Sequence, residues 1–170
     1  AEGRNMLYDL HYIQNAQPKA VILYIHGFNG FKDWGNFDLI AEQFAMHGFF
    51  FVKMNLSHNG TTIAKPEDFA DLQAYSRNNY SKELEDTAKM ISMICNPLSS
   101  YAQEIDREKI ILLGHSRGGG IAIIYASLDM RVKAVITWAS VAECKTPWGN
   151  WSVEKMKNWK DQGVAYIENK

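Results

Sequence analysis

Four short apolar segments rich in β-branched and aromatic residues constrain the fold of this chain most strongly. They are VILYI (Val21–Ile25), FFFVKM (Phe49–Met54), IILLG (Ile110–Gly114) and AVITW (Ala134–Trp138). Such runs are typical of strands that are buried on both faces, as in parallel sheets. Helical patterns separate the runs, and this alternation predicts an α/β fold with right-handed crossovers.

Helical patterns follow three of these runs. The first predicted helix has an apolar stripe and ends near Gly48, which suits a C-terminal cap. The second is expected to begin with Ser81 as its N-cap and to end before Pro97, and the third to extend from Arg117 to Ser127. Residues expected to face the core are Phe37, Ile40, Ala41, Phe44 and Ala45 in the first helix and Leu84, Ala88, Ile91 and Cys95 in the second.

A further strand is predicted near the start of the chain, where Tyr8, Leu10 and Tyr12 alternate with polar residues. We expect it to be an antiparallel edge strand that forms a hairpin with the first parallel strand through the turn segment NAQPK. The predicted architecture is therefore a mostly parallel sheet with helices on both faces.

Composition narrows the classes of partner. With 170 residues, 46% of them hydrophobic, the chain is long enough for one core, and its net charge of −1 gives no basis for binding nucleic acid or an anionic membrane surface. No apolar run is long enough to cross a bilayer, and the first twenty residues lack the apolar centre of a signal peptide. The two cysteines do not indicate a disulfide framework. We expect a cytoplasmic protein with neither a nucleic-acid nor a membrane partner.

The heptad GHSRGGG, Gly114–Gly120, lies where the third apolar run passes into a helical pattern. It contains G-x-S-x-G, in which a tight strand-to-helix turn holds the serine in a strained conformation and exposes its hydroxyl above the sheet. By itself the pattern is weak, since it occurs by chance in roughly one in seventeen chains of this length. Its position between a strand and a helix makes Ser116 a candidate nucleophile.

Two other glycine-rich motifs do not fit the heptad. A phosphate-binding Walker loop needs a lysine followed by Ser or Thr, and a dinucleotide fingerprint needs glycine where Ser116 stands. A purely structural alternative is that the glycines let a helix pack closely on the sheet. We expect Gly119 and Gly120 to serve such packing.

A second element, HGF (His26–Phe28), directly follows the first parallel strand. Acyl transfer through a serine needs two backbone N–H donors for the tetrahedral oxyanion, one after the nucleophile and one from the loop after an earlier strand. Arg117 and Phe28 occupy those two positions. Each such donor typically contributes ~3 to 4 kcal/mol of transition-state stabilisation.

On these residues the chain resembles the α/β-hydrolase superfamily, in particular bacterial serine esterases and the related prolyl-oligopeptidase-like and dienelactone-hydrolase-like branches. The segments that carry the resemblance are YIHGF, NLSHNG, DREKIILLGHSRGGG and AVITWAS. The resemblance implies Ser116 as nucleophile and the amides of Phe28 and Arg117 as oxyanion hole. Relatives often have D-x-R-G-x-G where this chain has Asn55–Gly60, and Asn55 and Ser57 depart from that pattern.

The resemblance also implies a histidine base and a carboxylate that orients it, and we expect both to lie outside this sequence. In the family an acid and then a histidine follow the serine on loops after later strands, whereas this sequence ends one predicted strand beyond Ser116. We expect residues 1–139 to be the N-terminal part of the core, with the acid and base outside the chain. His58 is the alternative base within it; structural roles are expected for His11, His26, His47 and His115.

Residues 140–170 resemble the start of a cap inserted after this strand. A helix from Ser152 to Lys160 is expected to press apolar side chains over the site, namely Val153, Met156 and Trp159. The substrate-binding residues are expected to be His26, Gly27, His115, Trp148 and Trp151. The alternative for the tryptophans is that they form only the cap's own core.

The function expected from the sequence is hydrolysis of a small-molecule carboxylic ester through an acyl-enzyme on Ser116, with little activity in this chain alone. Alternatives are a non-catalytic binding module, or a peptidase or acyltransferase of the same fold. No cofactor and no metal are expected, because the histidines lack a ligand spacing such as H-E-x-x-H. A homodimer or strand-swapped assembly could cover the open edge of the sheet.

Overall fold

The central feature of the structure, a computed structural model that describes residues 1–143, 150–163 and 165, is a five-stranded sheet. Its strands are β1 (Tyr8–His11), β2 (Lys19–Ile25), β3 (Phe50–Met54), β4 (Ile105–His115) and β5 (Val132–Trp138). They lie in the order β1-β3-β2-β4-β5, and every neighbouring pair is parallel except β1 with β3. The sheet is therefore mostly parallel, as predicted.

Helices cover both faces of this sheet. The helices of the described residues are α1 (Phe37–Met46), α2 (Leu72–Ser76), α3 (Tyr80–Ile94), α4 (Arg117–Ala126) and α5 (Val153–Gln162), of which α1, α3 and α4 cover the sheet. On one face α1 packs against the buried side chains of Ile22, Tyr24, Phe51 and Leu113. On the other face α3 and α4 pack against Val21, Leu23, Ile25, Val52 and Leu112. The predicted fold class is confirmed, because alternate residues of β2 are buried on opposite sides.

The predicted hairpin between β1 and β2 is wrong. β1 is an edge strand, but it pairs antiparallel with β3, where Leu10 lies opposite Val52. β2 carries β3 on one edge and β4 on the other, so it has no free edge for a third strand. Burial of β2 between two parallel partners thus overrides the local tendency of consecutive strands to pair.

α3 differs from its prediction in where it begins and in which face it buries. Asn79 is the N-cap and accepts a hydrogen bond from the Lys82 N–H at 3.0 Å, so the helix begins before the expected cap at Ser81. The predicted inward residues Leu84, Ala88 and Cys95 lie half-buried at the flank of the core. The fully buried stripe contains Glu83, Asp86, Thr87, Met90, Ile91 and Ile94.

β5 forms one edge of the described sheet, and the helix that follows it is exposed. Within the described residues β5 pairs only with β4, so its second edge is open. The predicted helix after β5 is present as α5, with Ser152 as N-cap, but it has no buried residue and Val153 is 87% exposed. None of the helices in the described ranges has both the length and the apolar character needed to cross a bilayer.

A buried lysine connects the loop after β2 to the sheet. Lys53 of β3 is fully buried, and its ammonium group contacts Asp33 at 2.6 Å, Asp38, and Asp9 at 3.4 Å. Burial opposes the charge of Lys53, but its hydrogen bonds to Asp33 and Asp38 outweigh that effect and raise its pKa. Lys32 also binds Asp9 and Asp33. These ion pairs hold the loop and the start of α1 against the strands.

Lys53→Met is expected to lower the free energy of unfolding by about 3 kcal/mol, because Asp33 would lose one of its two lysine counter-ions and Asp38 would lose its ion pair with Lys53. The matched control is Lys89→Met, which breaks an exposed helical pair with Glu85 and should change stability by no more than about 0.5 kcal/mol. Urea unfolding of the natural protein measures both. Equal losses in the two variants would contradict a stabilising role for Lys53.

Candidate active site

Ser116 lies at a sharp turn between β4 and α4. Its backbone has φ 53° and ψ −118°, a left-handed conformation that costs a non-glycine residue roughly 1–3 kcal/mol. Hydrogen bonds on both sides hold it there: its N–H donates to the Trp138 carbonyl at 2.9 Å, and its carbonyl accepts from Gly119 and Val141 at 3.1 Å. The half-buried serine is thus positioned by β5 and α4 together.

The glycines around Ser116 are required by close approach of backbone segments. A Cβ on Gly114 would lie 2.2 Å from the Gly118 carbonyl oxygen, and one on Gly118 would lie 2.2 Å from the Ile25 carbonyl oxygen. Steric exclusion therefore explains both glycines of G-x-S-x-G. Gly119 and Gly120 face the segment after β5, where added Cβ atoms would lie 2.6 Å from Ser140 Oγ and 2.8 Å from Val141 Cγ2. The last two glycines serve packing, as predicted.

The loop after β2 contacts the turn at Ser116. A Cβ on Gly27 would lie 3.0 Å from the Ser116 Cβ, so the two segments are in van der Waals contact. The loop then turns sharply, since Asn29 has φ 56° and the Gly30 N–H donates to the Gly27 carbonyl at 3.1 Å. The hydroxyl of Tyr75 in α2 donates to Asn29 Oδ1 and holds this turn. Phe28 lies within the turn, next to Gly27 in sequence.

Arg117 has two separate features, one in its backbone and one in its side chain. As the first residue of α4 its N–H has no carbonyl partner inside the helix, which leaves it available to an anion. Its guanidinium is buried, donates to Glu83 Oε2 at 2.9 Å and lies 4.1 Å from the centroid of Tyr80. The N-terminal ends of α3 and α4 are therefore joined by a buried ion pair.

Glu83 is buried in α3, although the sequence pattern predicted Leu84 as the inward residue at this point of the helix. Burial raises the pKa of Glu83, while Arg117 and the Asn78 side chain, whose Nδ2 donates at 2.7 Å, lower it in part. A buried carboxylate needs such partners. The signal available in the sequence was Arg117 itself, because a guanidinium in the glycine-rich start of a buried helix requires a counter-ion.

His26 is a structural link between two loops. Its Nδ1 donates to the Gly27 carbonyl at 2.8 Å, and its Nε2 accepts from the Leu56 N–H at 3.3 Å, which fixes the neutral tautomer. Burial lowers the pKa of His26 to about 4. Both ring nitrogens are occupied, so His26 supports the loop that contains Gly27 and Phe28.

Two asparagines attach the loop after β3 to the loop after β2. Asn55 Oδ1 accepts from the Lys32 N–H at 2.6 Å, and Asn55 Nδ2 donates to Thr61 Oγ1 at 2.9 Å. Asn59 Nδ2 donates to the Gly30 carbonyl at 3.2 Å. Neutral hydrogen bonds of Asn55 and Asn59 thus connect the two loops.

A cleft of about 210 Å³ brings most of the predicted site residues together. Ser116, Gly27, Phe28, His26 and His115 all line it; the other lining residues are Tyr24, Asn29, Gly30 and Trp34. Tyr24 and Trp34 were not predicted as site residues.

Trp151, one of the two tryptophans predicted for substrate binding, does not line this cleft. Trp151 packs edge-to-face on Trp159 with ring centroids 5.9 Å apart, and Lys155 Nζ lies 4.0 Å from its ring. The indole of Trp151 therefore packs against residues of α5 and does not line the cleft. Trp148 lies outside the described residues.

No histidine in the described ranges is hydrogen-bonded to the Ser116 hydroxyl. His58 Nδ1 is 2.8 Å from Ser57 Oγ, and its Nε2 is 3.2 Å from Glu2 Oε2. His47 Nδ1 donates to the Gln43 carbonyl at the end of α1. His115 lines the cleft, with its ring centroid 6.3 Å from that of Phe37. Ser116 therefore lines the cleft without a hydrogen-bonded histidine among the described residues.

One cluster has ligand types that bind metals. Oxygen or nitrogen atoms of Asp9, His11 and Asp38 lie within 4.8 Å of one another. The ammonium groups of Lys32 and Lys53, however, already contact these carboxylates. The lysines thus take the place that a cation would need.

Comparisons with known proteins agree with the observed fold. A family model described as alpha/beta hydrolase fold matches residues 20–163. No curated protein sequence matches the chain. Among solved structures, DcsB in complex with a substrate analogue superposes with a TM-score of 0.71 at 22% identity, over 95% of this chain and 47% of that one.

Two further solved structures are similar. A dienelactone hydrolase from Anabaena variabilis has a TM-score of 0.62 at 17% identity, over 79% of this chain and 57% of that one. Est1E from Butyrivibrio proteoclasticus, solved with ferulic acid, has a TM-score of 0.63 at 16% identity, over 81% of this chain and 51% of that one. The chain spans about half the length of these structures, and at such identities the likeness shows the fold.

Gly118→Ala is expected to lower the free energy of unfolding by about 3 kcal/mol, because the new methyl group would overlap the Ile25 carbonyl in a strand paired on both edges. Gly35→Ala is the control: its φ is +62° but no atom lies within 4 Å of the added Cβ, so only about 1 kcal/mol of backbone strain is expected. Urea unfolding measures both variants. A smaller loss for Gly118→Ala than for Gly35→Ala would contradict the steric argument.

The low pKa of His26 predicts a pH-dependent stability. In the unfolded chain the imidazole has its ordinary pKa of 6.5, and in the folded protein a pKa of about 4, so the unfolded state binds the proton first. The contribution, about 3 kcal/mol, is present above pH 6.5 and is lost as the pH falls from 6.5 to about 4.

His26→Asn should therefore flatten the fall in unfolding free energy between those two pH values. His47→Asn, at an exposed position, serves as control and should leave the slope unchanged. Urea titrations at several pH values measure both. Parallel curves for wild type and His26→Asn would refute the assignment.

Proposed function

The chain belongs to the α/β-hydrolase fold family, and from that membership we propose that it carries the nucleophile and oxyanion hole of a serine hydrolase that acts on carboxylic esters. The observation that carries the proposal is the strained turn at Ser116 in contact with Gly27. A backbone conformation of this cost is kept where it serves a reacting group. The small-molecule ester would lie in the 210 Å³ cleft beside the serine.

In the proposed reaction the Ser116 oxygen attacks the ester carbonyl carbon. The hydroxyl proton passes to a base, and the oxyanion is bound by the N–H groups of Phe28 and Arg117. The base then protonates the leaving alkoxide as its C–O bond breaks, which leaves an acyl group on Ser116. Water, deprotonated by the same base, attacks that acyl group and releases the acid.

The base and its orienting acid are proposed to come from outside the described residues. Each described histidine has structural contacts or is not bonded to Ser116, and the chain spans about half the length of its solved relatives. Removal of a triad's base lowers turnover by about 10⁶. The isolated chain is therefore expected to have little activity, and later residues or a second copy would cover the open edge of β5.

Ester hydrolysis is preferred to the alternatives because of the proteins that share this fold. A dienelactone hydrolase and an acetyl xylan esterase are among them. A non-catalytic binding module would keep the cleft without the chemistry. A peptidase or acyltransferase would use the same nucleophile and differ in the acyl acceptor or leaving group.

A fluorophosphonate probe tests the nucleophile in the full-length natural protein. We expect it to add its mass to the peptide that contains Ser116, because an activated serine attacks phosphorus as it attacks an ester carbonyl. The Ser127→Ala variant, changed at the exposed cap of α4, should be labelled equally, and Ser116→Ala should not. Absence of the label from wild-type Ser116 would overturn the catalytic proposal in favour of the binding module.

Hydrolysis of a matched 4-nitrophenyl ester and 4-nitroanilide then separates the enzyme classes. Hydrolysis of the ester with no detectable hydrolysis of the anilide supports the proposed esterase. A preference for the anilide would replace it by a peptidase.

A further inference from the structure

The side chain of Tyr24 has an unexplained polar group next to the nucleophile. Tyr24 lies in β2, is 1% exposed and lines the same cleft as Ser116. No hydrogen bond joins its hydroxyl to any described residue. The fully enclosed side-chain atoms that lack a partner, within the described ranges, are His11 Nε2, Asn78 Oδ1 and Ser99 Oγ. The Tyr24 oxygen is not among them, and Tyr24 is one of the residues that line the cleft.

The ring of Tyr24 is rigidly held. It stacks on Phe37 with centroids 3.8 Å apart and an interplanar angle of 20°. The backbone of Tyr24 is paired on both sides, opposite Lys53 in β3 and Leu113 in β4. The sheet and α1 therefore fix the position of the hydroxyl, although no described residue forms a hydrogen bond with it.

A hydroxyl without a partner is costly at such a position. Enclosure of a hydroxyl without a compensating hydrogen bond is unfavourable, and burial raises the pKa of Tyr24. Phenylalanine would fill the same volume and keep the stacking on Phe37. The hydroxyl is thus unfavourable for packing but suited to contact with a ligand in the cleft.

We infer that Tyr24 determines substrate specificity: its hydroxyl donates a hydrogen bond to an oxygen or nitrogen acceptor on the group of the ester that enters the cleft. This inference rests on the proposed esterase function. It identifies the substrates as esters with a polar acceptor close to the reacting carbonyl, in preference to hydrocarbon esters of the same shape.

The size and walls of the cleft agree with a small group. Its volume of about 210 Å³ is below the roughly 300–1,000 Å³ of sites that hold drug-sized ligands. Its walls include the aromatic rings of Tyr24, Phe28 and Trp34, and Trp34 is 51% exposed at the outer side. A buried hydroxyl among apolar walls discriminates well, because an apolar substrate would leave it unpaired.

The test compares Tyr24→Phe with the wild-type full-length protein on paired 4-nitrophenyl esters. Methoxyacetate is matched with butyrate, and 3-methoxypropionate with valerate, so that each pair differs by an ether oxygen in place of a methylene. We expect Tyr24→Phe to lower kcat/KM about fivefold to tenfold for the better ether ester, as for one lost hydrogen bond of ~1–1.4 kcal/mol. The rate for its hydrocarbon match should be unchanged or raised.

Tyr125→Phe is the matched control, because the Tyr125 hydroxyl donates to Asp129 at 2.7 Å beyond the end of α4. It should leave both ratios of ether to hydrocarbon ester unchanged. Unfolding measurements on Tyr24→Phe should show equal or greater stability, since a hydroxyl without a partner is removed.

Two outcomes would overturn the inference, and they are separable from failure of the proposed function. If wild-type protein is labelled at Ser116 and hydrolyses the esters, but Tyr24→Phe leaves both ratios unchanged, the inference alone is wrong. If Tyr24→Phe instead loses stability and slows all four esters equally, the hydroxyl is a structural donor and the inference is again wrong. If wild-type protein neither reacts at Ser116 nor hydrolyses any ester, the proposed function is wrong.

Discussion

The close approach of three backbone segments is the constraint on which the site depends. The start of α4 lies so near the ends of β2 and β4 that a single added methyl group at Gly118 or Gly114 would lie 2.2 Å from a carbonyl oxygen. This contact places Ser116 beside Gly27 and forces its backbone to φ 53°. The candidate nucleophile Ser116, the start of α4 and the loop that contains Phe28 lie close together because these segments cannot move apart without loss of packing.

Buried polar groups hold the loops around that contact. Lys53 with Asp33 fixes the loop after β2, Arg117 with Glu83 joins the starts of α4 and α3, and His26 connects two loops through both ring nitrogens. Each of these groups would be costly if left without its partner. The site is thus surrounded by pairs whose members come from distant parts of the chain, which makes its geometry cooperative.

Much of the fold and of the candidate site was accessible from local patterns. The apolar runs predicted the four parallel strands, and G-x-S-x-G with HGF predicted the residues that meet at the cleft. The predictions were wrong where contacts between residues distant in the sequence determine strand pairing or burial. The edge of β2 that a hairpin would need is occupied by a strand from elsewhere in the sequence, and Glu83 faces inward because Arg117 is there to receive it. Tyr24 was not predicted at the site, because in the sequence it is one residue of a buried apolar strand.

The sequence by itself determined the α/β class, the positions of the parallel strands and the identity of Ser116 as the candidate nucleophile, because periodicity and steric demand for glycine act over a few neighbouring residues. Only the tertiary structure decided that β1 pairs with β3, that His26 and His58 are bonded away from the serine, and that Tyr24 lines the cleft. Each of these facts depends on a hydrogen-bond partner or a neighbouring strand from a distant part of the chain. Such partners meet only when the whole chain packs.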